Sequence, residues 1–166
     1  MLTTVLGVAH GLASALAMIL GAIVVLGAKG TARHRQLGQM YVIALLLLSV
    51  TSLGVYRHDR FWFPHWFALA TIAIVALAWC AAHYRWPTRS SWLYVHLTAM
   101  LLSYYFLWGG AVNEAFVHIA ALRDLAPRAK GIAIASSHAI VVTVFAVWIL
   151  WTNAFTAGRR STASAV

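Results

Sequence analysis

Long apolar runs broken by short polar collars set the pattern of this chain. Five runs approach the roughly 20 residues that a membrane-crossing helix needs. They cover about residues 3–26, 39–56, 65–83, 91–108 and 132–151. The collars between them are short: "KGTARHR" after the first, "RHDRFWFP" after the second and "RWPTRS" after the third. Pro64 falls just inside the start of the third helix, where its missing N–H costs nothing. Ser90 or Ser91 can cap the fourth. The link from the fourth run to the fifth is longer. It keeps apolar residues at helical spacing (Val112, Phe116, Ile119) until Pro127, so it predicts either a continuation of the fourth helix or a short interfacial one. The pattern predicts an all-α, polytopic transmembrane bundle of four core helices plus a fifth. A single domain spans 1–156, and a polar, frayed tail follows at 157–166.

Composition supports this picture. The 166 residues are 63% hydrophobic and only 9% charged, with a mean hydropathy of +0.82. Too few charges remain to cover a water-exposed surface, since soluble domains carry about 25%. The first run has no cationic n-region and is longer than a signal-peptide core, so it reads as a retained helix. The net charge of +9 would suggest nucleic acid in a soluble protein. Here the cations sit at run ends and not along one face, which excludes that class and makes the lipid bilayer the partner. With "KGTARHR" cytoplasmic, Lys29, Arg33, Arg35, Arg85, Arg89, Arg159 and Arg160 lie inside. Arg57, Arg60, Arg123, Arg128 and Lys130 lie outside. That bias predicts an external N-terminus and a cytoplasmic C-terminus in a bacterial inner membrane. Trp62, Trp66, Trp86, Trp92, Trp108 and Trp151 near run ends fit an aromatic belt. The single cysteine, Cys80, excludes an internal disulfide and reads as a small buried hydrophobe.

Eight histidines against three acidic residues are the unusual feature. Ionisable groups in membrane segments face a bundle interior or a cavity because lipid penalises them. In the predicted topology His10, His65 and His138 lie toward the outer face, and Glu114, with His118 four residues on, can join them. His34, His96 and Met100 lie toward the inner face, with His83 and Tyr41 nearby. His65 and His83 are five helical turns apart and share a face. On the first helix Gly7, His10, Gly11, Ser14 and Gly21 form one stripe, and the Gly7/Gly11 spacing predicts a close helix contact.

Two histidine layers suit two redox or metal centres. Haem b takes axial histidines from facing helices, and His10, His34, His65, His96 and Met100 are the candidate ligands. A transition metal ion takes imidazoles with a carboxylate, for which His10, His65, Glu114 and His138 are the candidates. Plainer roles stand beside these. His34 can touch lipid phosphate, His58 can be solvated, His83 can complement a helix C-terminus and Glu114 can pair with Arg123. The others can hydrogen-bond between helices with no metal at all.

The ordered stretches "KGTARHRQLGQMY", "RFWFPHWFALA", "HLTAM" and "SYYFLWGGAVNE" resemble the motifs of a bacterial membrane-protein family catalogued as domain of unknown function two-three-zero-six. The resemblance covers about the first 115 residues and carries Lys29, Gly30, His34, Arg35, Gly38, Tyr41, His65, His96, Met100 and Glu114. It implies a four-helix membrane fold and no activity; His138 falls outside it.

Three functions follow as expectations. The first is electron transfer by a haem b or metal protein, with quinone or another redox partner. The second is a non-catalytic carrier or assembly protein whose histidines only hydrogen-bond. The third is a zinc-dependent membrane hydrolase using the outer His/Glu group. No nucleophile–base arrangement, paired carboxylates or phosphate-binding loop marks a particular reaction.

Overall fold

The computed structural model describes residues 2–54, 61, 63–89 and 91–163, with side-chain surroundings for 5–54, 61, 64–89 and 91–147. The His58, Arg57, Asp59, Arg60, Trp62 and Ser90 positions lie outside the described residues, as do the side chains of Trp151, Arg159 and Arg160. Among the described residues six helices follow in order: α1 Leu2–Leu26, α2 Ala32–Leu53, α3 Phe63–Tyr84, α4 Trp92–His118, α5 Ala120–Arg123 and α6 Pro127–Ala163. No strand occurs among the described residues. Among the described residues, five of the helices are long and apolar enough to cross a membrane. The protein is therefore an all-α, multi-pass membrane protein by the length and composition of its helices.

Helices suit such a chain because lipid offers no partner to backbone N–H and C=O groups. Hydroxyls inside the apolar helices obey the same constraint. Ser14 donates to the His10 carbonyl, Ser49 to Leu45, Thr71 to Phe67 and Ser137 to Ala133, each at 2.8 Å. Each polar side chain is thus satisfied within its own helix.

The chain divides into two compact units, 1–108 and 109–166. In the first, α1 and α2 form an antiparallel hairpin. Its pairs run from Leu6 beside Gly54, through His10 at Thr51, to Gly21 against Tyr41. Between the two helices Lys29 closes α1: its ammonium donates to the carbonyls of Val24 (2.8 Å) and Gly27 (2.9 Å) and to that of Val25. A cation at a helix C-terminus also complements the dipole. Gly30 takes φ +77°, which glycine adopts without strain. Thr31 then caps α2, its hydroxyl accepting the His34 N–H at 3.0 Å.

α3 and α4 form a second antiparallel hairpin. His96 reaches the Ala78 carbonyl near the turn, and the Phe67 and Phe106 rings stack at 4.4 Å further along. The core holds Ala17, Leu20, Tyr41, Ala44, Leu45, Val75, Ala78, Ala99 and Leu107. Small residues at helix contacts let backbones approach where lipid supplies no hydrophobic drive.

Several expectations change here. α2 begins about seven residues earlier than expected, so His34 sits in its first helical turn and not in a loop. The Thr31 cap explains the early start. The link after the fourth run satisfies both alternatives: α4 continues to His118, and the one-turn α5 follows. Pro127 opens α6, which continues to Ala163 through most of the stretch expected to fray. Gly7 and Gly11 make no close contact, since a Cβ at either would meet nothing within 4 Å. The close approach lies at Gly21.

Candidate histidine site

The first unit is pinned at mid-height by three tyrosine and serine hydroxyl contacts. Tyr41 and Ser103, both fully buried, stand 3.0 Å apart at their oxygens. Ser103 gives its proton to the Met100 carbonyl at 2.8 Å, so Tyr41 is the donor in their shared bond. Tyr104 donates to the Met18 carbonyl of α1 at 3.1 Å and meets the Tyr41 ring edge-on, centroids 6.2 Å apart. A Cβ on Gly21 would come within 2.6 Å of the Tyr104 ring and 3.0 Å of the Tyr41 ring. Glycine is needed there because both rings occupy the space of a side chain.

The Tyr41–Ser103 contact joins α2 to α4, which run parallel in an up-and-down bundle. The two residues are 62 positions apart, and so are His34 and His96. Two helical turns from the hydroxyl pair, about 10 Å along the axis, His34 indeed lies within electrostatic reach of His96, and of Lys29 and Arg35. His96 Nδ1 stands 2.9 Å from the Ala78 carbonyl. A carbonyl only accepts, so Nδ1 carries the proton and Nε2 keeps its lone pair. His34 Nδ1 is buried and finds no hydrogen-bond partner among the described residues. Two half-buried imidazoles on different helices thus lie within electrostatic reach of each other at the Lys29 end of the bundle. Burial pushes the Lys29 amine below its usual range, while the three carbonyls around it favour the charged form.

The remaining candidates are placed as follows. Met100 is one turn beyond His96 on α4, level with Gly38 in the 62-residue register. His83 is exposed, its ring stacked on Trp79 at 4.7 Å and 8°. It shares a helix with His65 but not its burial, because it turns toward Trp79 at the end of α3. At the other end of this unit, His10 Nδ1 meets the Thr51 hydroxyl at 3.3 Å. His65 is 3% exposed, with Phe61 against its ring at 4.8 Å. Cys80 is a free, half-buried thiol.

In the second unit, Glu114 pairs with His118 at 3.1 Å across one helical turn, and Arg123 pairs with its neighbour Asp124. The alternative Glu114–Arg123 pairing is not the one formed. His138 lies half-buried in α6. The candidates His10, His65, Glu114 and His138 are therefore divided between the two units. Among the described residues, no three His, Cys, Asp or Glu side chains gather as a metal ion would require.

Sequence reasoning named His34 and His96, counted Gly21 only as one member of a stripe, and missed Ser103 and Tyr104. A shallow apolar trough of about 360 Å³ between α3 and α4, lined by Ile74, Leu77, Tyr94, Val95 and Thr98, contains none of the histidines. Neither a protein-family model, nor a curated protein, nor a solved structure matches the chain. The family resemblance therefore rests on the ordered motifs alone.

Proposed function

We propose that this membrane protein holds a haem b or a transition metal ion between His34 and His96 and uses it to pass electrons. One observation carries the reading: imidazoles from two different helices lie within electrostatic reach, and one has its Nδ1–H committed to a backbone carbonyl. Metal-bound histidines characteristically give their second nitrogen to a carbonyl or carboxylate, which fixes the ring and aims the free lone pair. The donor set fits haem better than a bare ion. His34 and His96 would hold a haem from separate helices. Met100 follows His96 by one turn on the same helix. When bound, haem would supply one-electron chemistry; His34 and His96 would hold it, and the carbonyl of Ala78 would orient His96.

The same reading puts the Lys29 end on the cytoplasmic side of a bacterial plasma membrane. Its support is the excess of cations on that side, seven against five. A quinone is a fitting redox partner for a chain in this setting. Zinc hydrolysis finds less support, since catalytic zinc takes three protein ligands and no such group is gathered among the described residues.

The test is an absorbance spectrum with metal analysis on protein purified in detergent. A Soret band or stoichiometric metal is expected, lost in His34→Ala and His96→Ala and kept in His83→Ala. A flat spectrum with no metal would overturn the reading. It would favour a carrier or assembly protein whose histidines only tie helices together. The His10–Thr51 and His96–Ala78 contacts, each joining two helices, support that second reading.

A further inference from the structure

We propose that the Tyr41–Ser103 hydrogen bond is the register lock of α2 against α4, and that these two residues position His34 against His96. The inference rests on reading the two histidines as a site, but its geometry stands independently. Parallel helices that face each other keep a constant residue offset, and an offset of 62 serves both pairs. Seven residues are nearly two full turns, so Tyr41 projects from the same face of α2 as His34, and Ser103 from the same face of α4 as His96. A shift of one residue between the helices would turn each histidine by about 100° and move it by about 1.5 Å.

The lock is built to resist that shift. Ser103 is committed as a donor to Met100, so toward Tyr41 it can act only as an acceptor. Both residues are shut off from lipid and water, so an unpaired hydroxyl would find no other partner. Tyr41 is also held from the side by the Tyr104 ring, which is itself tied to α1 through Met18 and Gly21. Leu45 and Leu107, both buried, share the 62-residue offset, but apolar burial is non-directional. A hydrogen bond is directional.

The test reads distance and keeps both histidines. Nitroxide labels go on Arg35→Cys and Leu97→Cys in a Cys80→Ala background. These two positions are exposed, adjoin His34 and His96, and share the same offset. Labels at Val8→Cys and Val50→Cys serve as a control across the opposite end of α1 and α2. The parent pair should give one narrow distance by pulsed electron resonance. Tyr41→Phe, Ser103→Ala and their combination should each shift part of the population to a second distance. The double variant should be no worse than either single, and the control pair should stay unchanged. An interhelical hydrogen bond in a membrane shifts such an equilibrium by roughly threefold on average and at most about twentyfold. An unchanged distance in all three variants would overturn the proposal. So would equal broadening of both label pairs, which marks general loosening. The absorbance test fails or succeeds separately: a colourless protein whose label distance responds keeps the lock and loses the redox reading.

Discussion

His96 Nδ1 lies 2.9 Å from the carbonyl oxygen of Ala78, joining α4 to α3 near the turn that connects them. The contact does two jobs at once: it ties a hairpin together and fixes a tautomer. Interhelical hydrogen bonds in membranes average about 0.6 kcal/mol and reach about 1.7 kcal/mol. His96→Phe should therefore lower stability by about 1 kcal/mol and abolish any bound metal or haem. His96→Asn, which can still donate, should recover part of the stability and none of the ligand. Thermal unfolding in detergent, read beside the visible spectrum, separates the two roles.

Gly21 should be the least replaceable glycine of α1. Its missing Cβ leaves room for the Tyr104 and Tyr41 rings, and both are confined. Gly21→Ala should cost about 1–3 kcal/mol, the usual range for overpacking. Gly7→Ala and Gly11→Ala have open space and should be neutral or stabilising by up to about 1 kcal/mol, since alanine is the better helix former. Denaturation of the three variants side by side checks the ranking; equal losses would refute it.

This contrast also marks where the sequence was legible. Run lengths revealed five spans, and Pro64 marked the start of α3. The four-residue spacing anticipated that Glu114 and His118 would share a face. Imidazoles in apolar runs stood out because lipid makes them expensive, which drew attention to His96; His34 lay in a polar collar and was named beside a plainer role touching lipid phosphate. Gly21 was counted in a glycine stripe, but nothing local distinguished it from Gly7 or Gly11. A glycine's use is decided by what comes from another helix, here two tyrosines from α2 and α4. Ser103 looked like one of several scattered serines for the same reason. The start of α2 was missed because cations hid the cap, although Thr31 three residues before His34 is the ordinary signal for one.

The Glu114–His118 pair should contribute little. Both side chains are well exposed, at 46% and 65%, and exposed pairs one turn apart are worth about 0.3–0.5 kcal/mol. His118→Ala and Glu114→Gln should each change stability by less than that amount and leave any visible spectrum untouched. A larger loss, or loss of bound metal in either variant, would give Glu114 the ligand role expected of it from the sequence.

Lys29 gives the chain an alkaline signature. Burial lowers its pKa in the folded state below the ordinary value of 10.5. Just below 10.5 the unfolded chain then holds more protons than the folded one, and stability rises with pH wherever that is so. The Lys29 contribution, read as the difference between the parent chain and Lys29→Met, should climb as pH increases from the lowered folded value toward 10.5, and level off above it. Lys29→Met should flatten this rise and lower stability at neutral pH, because the carbonyls of Val24, Val25 and Gly27 lose their donor. Unfolding midpoints from pH 7 to 11 for both proteins check the sign. A fall through that range in the parent chain, absent from the variant, would mean that the three carbonyls hold the proton more firmly than burial expels it.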